Sequence, residues 1–447
     1  MAIDFRVRDF LYPLGILKLR STFERTQWLP TEELQAFQVR RLSRLISHAA
    51  QSVPYYRNLF SRSSLTPSDF KTVEDLKKLP VLSKEAIREN LGSFLAQNIS
   101  RFHPRLTLTC GTMGEPLRFY LDKDANILEF VYYWRHWSWA GYRLGDRFAE
   151  LGSTSFLARR NRQRKMSFWQ PQLRRLMLNS ACISPDQAKE MSRLIRKHRT
   201  KFLKGTASSV YCLALSLKEA GIKDLSFRAI FTTGEILTPH YRALIESVFN
   251  SPILDSYGHM ERTVAVCQCP EGRYHINSDY GILELEELRP HSEGETFIGR
   301  AVGTSLYNRA MPLIRYDIGD YIEISSKPAT CPCGRTLPLA KAIHGRVDDI
   351  ISTPDGRFVT SLIAIPELLR GVRFIQFIQE SWREISAHVV PSDEWNAKEE
   401  ERLRYYLETM VGREMKIRVI LISEKEIITE PSGKRRLVVS RIKPCPS

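Results

Sequence analysis

No stretch of this chain is apolar for long enough to cross a bilayer as a helix, so a spanning segment is not expected. The N-terminus, Met-Ala-Ile-Asp-Phe-Arg-Val-Arg, lacks the apolar core of a secretion signal, so export is not expected either. Cysteine is sparse, 8 in 447 residues, far below the density of a disulfide-stapled secreted domain. A reducing cytoplasm is therefore the expected compartment. There is no internal repeat and no low-complexity tract, which excludes solenoids and disordered arrays. Acidic residues are few beside basic ones, 50 against 66, for a net charge of +16. That excess favours a polyanionic partner without naming one: nucleotide, nucleic acid, anionic lipid or acidic substrate.

What is present is an ordinary globular composition, 43% apolar and 26% charged, ample for a sizeable core. Residues 1–20 mix apolar Phe5, Val7, Phe10, Leu11, Leu14, Ile16 and Leu17 with Arg6, Arg8, Lys18 and Arg20. Pro13 and Gly15 argue against one regular helix there. Helical spacing follows in 31–60 and again after Ser83. From 105 to 325, short β-branched runs (Arg228–Thr233, Ile253–Tyr257) alternate with helical ones (Asp186–Arg199, Ser208–Ala220, Pro239–Phe249). The expected fold is α/β: a large multi-layer N-terminal domain with mixed sheets over 1–345, with a helical lead-in to residue 100 and an α/β core over 105–345. A small mobile α+β domain over 350–447 follows a hinge at 346–349, with a helix at Trp395–Glu408 and a strand at Ile417–Leu421.

Five short motifs carry chemistry. Thr109-Cys110-Gly111-Thr112-Met113-Gly114 can gather backbone N–H groups and hydroxyls around a phosphate, although it lacks the Gly-Lys-Ser/Thr ending of a Walker loop. Tyr257-Gly258-His259-Met260-Glu261 sets an aromatic ring and a carboxylate close together, suited to a base and Mg²⁺. Arg315-Tyr316-Asp317-Ile318-Gly319-Asp320 places a carboxylate after a Gly at a strand end, suited to ribose hydroxyls. Gly345-Arg346-Val347-Asp348-Asp349 and Pro431-Ser432-Gly433-Lys434 complete the set.

In this order and spacing the five resemble the adenylate-forming superfamily of acyl- and aryl-CoA ligases, from about residue 30 to 440. Val53-Pro54-Tyr55-Tyr56-Arg57, Leu79-Pro80-Val81-Leu82-Ser83-Lys84, Ala310–Tyr316 and Cys331-Pro332-Cys333-Gly334-Arg335 are most similar to the phenylacetate–CoA ligase-like branch, which includes CapK-type capsular polysaccharide proteins. The resemblance implies an ATP-dependent ligase that joins an acid to AMP, releases pyrophosphate and passes the acyl group to CoA. An amine or sugar acceptor in surface-polysaccharide synthesis is the alternative. It implies Thr109, Gly111, Thr112 and Gly114 over the ATP phosphates, and Gly234 and Glu235 beside adenine. Tyr257 and Gly258 would lie against the base, Asp320 on the ribose, and Glu261 on Mg²⁺. Arg346 would reach ribose or phosphate, Asp348 would be the hinge, and Lys434 would enter as the catalytic cation. Cys110 and Met113 replace the usual hydroxyl residues of the phosphate loop.

Two Cys-x-Cys pairs, Cys267/Cys269 and Cys331/Cys333, with His275 nearby, offer short-loop chelation of structural Zn²⁺. The four ligands are either Cys269, His275, Cys331 and Cys333 or the four cysteines. Related branch members carry a Cys, a Gly and then a His in this place, which favours the first set. The aromatic run Tyr132, Tyr133, Trp134, His136, Trp137 suits either an aryl-acid pocket or core. A nucleic-acid-binding zinc protein is the contrasting class, supported by Arg159–Lys165 with Phe168 and Trp169 and by a second run with Arg193, Arg196, Lys197, Arg199 and Lys201, but neither basic run matches a binding module. Residues 157–176 together with the N-terminal arm suit peripheral attachment to the anionic inner face of a membrane. A homodimer is left open.

Overall fold

The first described helix runs Pro13–Thr26 and carries Gly15 within it, and the rest of the basic, apolar N-terminal arm, residues 1–12, lies outside the described residues. The structure, a computed structural model, describes residues 13–108, 117–152, 165–180, 183–291, 295–327, 329–346, 351–354, 358–359, 362, 365–366, 369–412, 414–429 and 435–442. It is α/β, with mixed sheets and a separate C-terminal sheet domain. Among the described residues, no helix is long and apolar enough to cross a membrane. The chain forms two compact units that interleave in sequence: residues 1–146 with 254–343, and 147–253 with 344–447.

In the first unit, helices Thr31–Ser52 and Pro54–Arg62 bury Leu34, Phe37, Leu42, Leu45, Tyr56 and Phe60. Helix Lys123–Trp139 is capped by Asp122, whose side chain accepts from the Ala125 N–H. It is apolar on nearly every face, which is why the aromatic run carries no clear helical period. Tyr132, Tyr133, His136 and Trp137 are all buried in its packing, so the run builds core. Two groups of strands complete the unit. Gly281–His291, Thr296–Ser305 and Tyr316–Ser325 form an antiparallel ladder. Residues Ser256–Gly258, at the end of strand Ile253–Gly258, pair antiparallel with Ala265–Gln268, which pairs in turn with Tyr274–Ile276.

In the second unit, Phe148–Leu151 lies between parallel Arg175–Leu178 and Phe202–Gly205, and Ala229–Thr233 extends the sheet. Helices Pro185–Lys197, Ala207–Glu219 and Pro239–Phe249 cover one face through Met191, Ile195, Leu213, Leu217, Ile245 and Phe249. Alternation along the strands puts Glu150, Arg175 and Lys204 together, all buried. Glu150 meets Arg175 at 2.5 Å and Lys204 at 3.2 Å. The C-terminal sheet has the order Lys416–Leu421, Glu384–Pro391, Val372–Ser381, Val438–Ser440, with helix Ala397–Val411 packed on it by Leu403, Leu407 and Val411. Arg373 of that sheet pairs with Glu219 at 2.6 Å, and the Tyr211 hydroxyl donates to the Arg373 carbonyl at 3.2 Å.

Candidate active site

Two tyrosines hold two carboxylates. At the end of strand Ile253–Gly258, the Tyr257 hydroxyl donates to Asp320 Oδ2 at 2.5 Å. At the start of strand Tyr316–Ser325, the Tyr316 hydroxyl donates to Glu261 Oε1 at 2.5 Å. Asp320 and Glu261 are both buried. These charge-assisted bonds fix each carboxylate while leaving acceptor capacity for a ligand or cation. Gly319 sits at φ +82°, open to glycine, where the pairing of strand Tyr316–Ser325 is irregular, and its N–H donates to Asp317 Oδ1 at 2.9 Å. Arg300 holds the other Asp317 oxygen at 2.6 Å. Arg262, next to Glu261, is also left-handed at φ +57°, with its guanidinium on the Ala125 carbonyl and Asn126 Oδ1. Backbone strain of this kind is typical of functional turns.

Residues 79–84 reach this region by pairing with a distant strand. Leu82 donates to the Arg315 carbonyl and accepts from the Asp317 N–H, at 2.8 and 2.9 Å. That register sets Lys84 Nζ 2.8 Å from the Ile318 carbonyl, a half-buried cation on the strand that carries Asp320. Sequence reading used Leu79–Lys84 only as a family mark and gave Lys84 no role; the signal was a lone Lys after a helix-capping Ser, which any surface helix shows. Arg315, inside the same motif as Asp320, is structural. It is buried at φ +51°, donates to Glu284, to Glu286 and, at 2.6 Å, to the Leu79 carbonyl, and so ties residues 79–84 to the ladder.

Of the other expected site residues, Thr109, Gly111, Thr112, Gly114, Asp348 and Lys434 lie outside the described residues. Arg346 ends strand Ala342–Arg346, but its side chain is likewise outside the description. Gly258 closes the strand that carries Tyr257. Gly234 and Glu235 belong to the second unit. Gly234 is left-handed at φ +78°, and Glu235 Oε2 accepts from the Ser208 N–H at 2.8 Å, capping helix Ala207–Glu219 beside the Thr206 cap.

A second cluster joins Cys269, His275, Cys331 and Cys333, whose ligand atoms all lie within 4.8 Å of one another. Cys269 Sγ to Cys331 Sγ is 3.6 Å, and Cys333 Sγ to His275 Nε2 is 3.3 Å. Tetrahedral Zn²⁺ with bonds of about 2.0–2.3 Å separates its ligands by roughly 3.5–3.8 Å, so the cluster is close to the right size. His275 Nδ1 lies 3.3 Å from the Leu337 carbonyl, the second-shell bond that leaves Nε2 with its lone pair free for a metal. Burial lowers the His275 pKa to about 4, so the ring is neutral. Cys267 stays out of this cluster; it is buried beside Tyr132, its thiol pushed up to about 12 by burial. Cys269 lies beyond the end of the strand, in a turn closed by its own N–H on the Arg273 carbonyl at 2.9 Å. His136 also faces away, with Nε2 3.0 Å from the Gln268 carbonyl and its pKa lowered to about 3 by burial.

Known proteins share this architecture. Residues 351–441 match the family model of the CapK C-terminal domain. Protein CapK of Staphylococcus aureus is 23% identical over 423 residues, covering 92% of this chain and 90% of that protein. Phenylacetate-coenzyme A ligase of Thermus thermophilus is 26% identical over 364 residues, covering 76% and 78%. Among solved structures, 2-hydroxyisobutyryl-CoA ligase in its postadenylation state, bound to an acyl-AMP, superposes with a TM-score of 0.71 at 21% identity, over 93% of this chain and 91% of that one.

Proposed function

We propose that this chain, alike in sequence to CapK and the phenylacetate–CoA ligases and alike in fold to the adenylate-forming acyl-CoA ligases, activates a carboxylic acid with MgATP and transfers the acyl group to CoA. The observation that carries this is the pair of tyrosine-held carboxylates, Asp320 within strand Tyr316–Ser325 and Glu261 in the turn after strand Ile253–Gly258, with Lys84 on the Ile318 carbonyl. One carboxylate suits the ribose diol and the other a Mg²⁺ ion, and a cation lies between nucleoside and phosphates. Tyr257 and Gly258 are assigned to the base, and Gly234 and Glu235 to adenine as well. Thr109, Gly111, Thr112 and Gly114 are assigned to the β- and γ-phosphates.

The chemistry balances as two displacements. A carboxylate oxygen attacks the α-phosphorus, the α–β bridging bond breaks, and pyrophosphate leaves. Two anions approach one another in that step; Lys434 and Arg346 lower the repulsion, and a Mg²⁺ ion held by Glu261 would supply further positive charge. The CoA thiol then loses its proton and attacks the acyl carbon, expelling AMP. Rotation of the small domain 350–447 about Asp348 exchanges Lys434 for an acceptor entrance between the two steps. The test is pyrophosphate release across an acid panel with and without CoA, with Lys434→Ala as control. Acid-dependent release that the Lys434→Ala variant loses supports the reading; no release with any acid overturns it.

A second reading is favoured by the 351–441 match to the CapK C-terminal domain: transfer to an amine or sugar in surface-polysaccharide synthesis. Substituting amino sugars for CoA in the same assay separates the two. The four-ligand cluster holds a structural Zn²⁺ that pins the turn after strand Ala265–Gln268 to the 331–333 loop. The enzyme works in the cytoplasm, with its basic surplus directed at an anionic membrane or glycan.

A further inference from the structure

The imidazole of His259 is held by one nitrogen and unanswered at the other. Its Nε2 receives the backbone N–H of Thr263 at 3.2 Å and lies 2.8 Å from the Thr263 hydroxyl. A backbone N–H can only donate, so Nε2 is an acceptor and the ring proton sits on Nδ1. Nδ1 is buried and has no hydrogen-bond partner among the described residues. Charged Glu261, Asp320, Lys84 and Glu129 surround the ring, yet their recorded partners are others: Tyr316 on Glu261, Tyr257 on Asp320, Tyr280 on Glu129, and the Ile318 carbonyl under Lys84.

The ring's anchor is itself built in. Thr263 is wholly buried between two strands at glycines. A Cβ on Gly281 would stand 1.8 Å from the Thr263 carbonyl oxygen, and one on Gly303 would stand 2.0 Å from its hydroxyl. Two side chains are absent so that one threonine fits, and that threonine sets the His259 tautomer. A buried donor left unpaired is costly, and a ligand that completes it is one way a native structure offsets that cost.

We propose that His259 contacts the nucleotide, its Nδ1–H donating to a phosphoryl oxygen, with Thr263 as the positioning residue. The inference rests on the nucleotide reading above. The ring lies in sequence between Tyr257, whose hydroxyl holds the ribose carboxylate, and Glu261, assigned to Mg²⁺, and the charge of Lys84 also bears on it. What lies between a ribose and its metal is phosphate.

Calorimetric titration with AMP and with adenosine tests it on the full chain. His259→Ala is expected to weaken AMP binding about tenfold, as for loss of one charge-assisted bond, and to leave adenosine binding unchanged. His259→Asn, which keeps an N–H near the Nδ1 position, is expected to recover part of the loss. In the unmodified protein, the Nδ1 proton resonance is expected to move downfield with AMP and stay put with adenosine, a readout that needs no variant. Equal weakening of both ligands, unchanged AMP binding, or an unmoved resonance overturns the inference alone. Wild-type protein that binds neither ligand overturns the nucleotide reading and this inference with it.

Discussion

Asp320 and Glu261 each accept a tyrosine hydroxyl, so each carboxylate can be perturbed without being removed. Tyr257→Phe strips one donor from buried Asp320, and a hydrogen bond to a charged group is worth about 1.5–3 kcal/mol. AMP affinity is expected to fall roughly tenfold, and the unfolding midpoint to fall too, because the unliganded protein also loses that bond. Arg315 behaves oppositely. It is buried against Glu284 and Glu286 and touches no expected ligand. Arg315→Met leaves those carboxylates uncompensated and is expected to cost about 3–5 kcal/mol of stability by urea denaturation. Both residues sit in one motif, Arg315 to Asp320, and nothing in the string of letters separates the structural cation from the ligand-facing acid. Lys84 was illegible for the same reason: its role comes from the Leu82–Arg315 pairing, a contact that no local pattern announces.

Local patterns did announce most of the elements. Helix Pro239–Phe249 has the expected bounds, and the Ser184 and Thr206 caps open the two helices before it, as the periodicity implies. Where strands are buried on both faces, alternation fades, and Val372–Ser381 and Glu384–Pro391 went unread. The Cys/His cluster was legible as a cluster and ambiguous as a set, because strand register, hidden in the sequence, decides that Cys267 stays in the sheet while Cys269 enters the turn. Cys331→Ser is expected to lower bound zinc from about one equivalent to below about half, read by metal analysis, and to lower the unfolding midpoint. In the parallel sheet, burial raises the Glu150 pKa, but Arg175 and Lys204 outweigh it and hold the carboxyl at about 2, below its ordinary 4.5. A depressed carboxyl contributes stability above its unfolded pKa and loses it as pH falls through the folded one. Glu150's contribution is therefore expected to be intact above about pH 5 and to fade between about pH 4.5 and 2. Equilibrium unfolding of wild type and Glu150→Gln across that window checks it: the gap between them should close as pH drops.

Across the whole molecule, the +16 charge is larger than one nucleotide site requires. Binding to anionic but not neutral vesicles, abolished by moderate salt, is the expected outcome if the surplus serves a membrane; equal flotation with both lipids would remove that role. Within the second unit, the Glu219–Arg373 pair joins the C-terminal sheet to helix Ala207–Glu219. Glu219→Gln is expected to change the ratio of pyrophosphate release to thioester formation more than it changes AMP affinity. One further consequence follows from the pairing of Leu82 with residues 315–317. Lys84 and the carbonyl it binds are 234 positions apart. At ribosomal speeds of about 5–20 residues per second, the early segment waits roughly 10–50 s for its partner strand to be made. During that interval the Leu82 backbone lacks its strand partner, and its side chain lacks Tyr316, Ile318 and Ile322 of its native cluster. A nascent chain stalled before Tyr316 should therefore be a chaperone client, and only the completed ladder should release it.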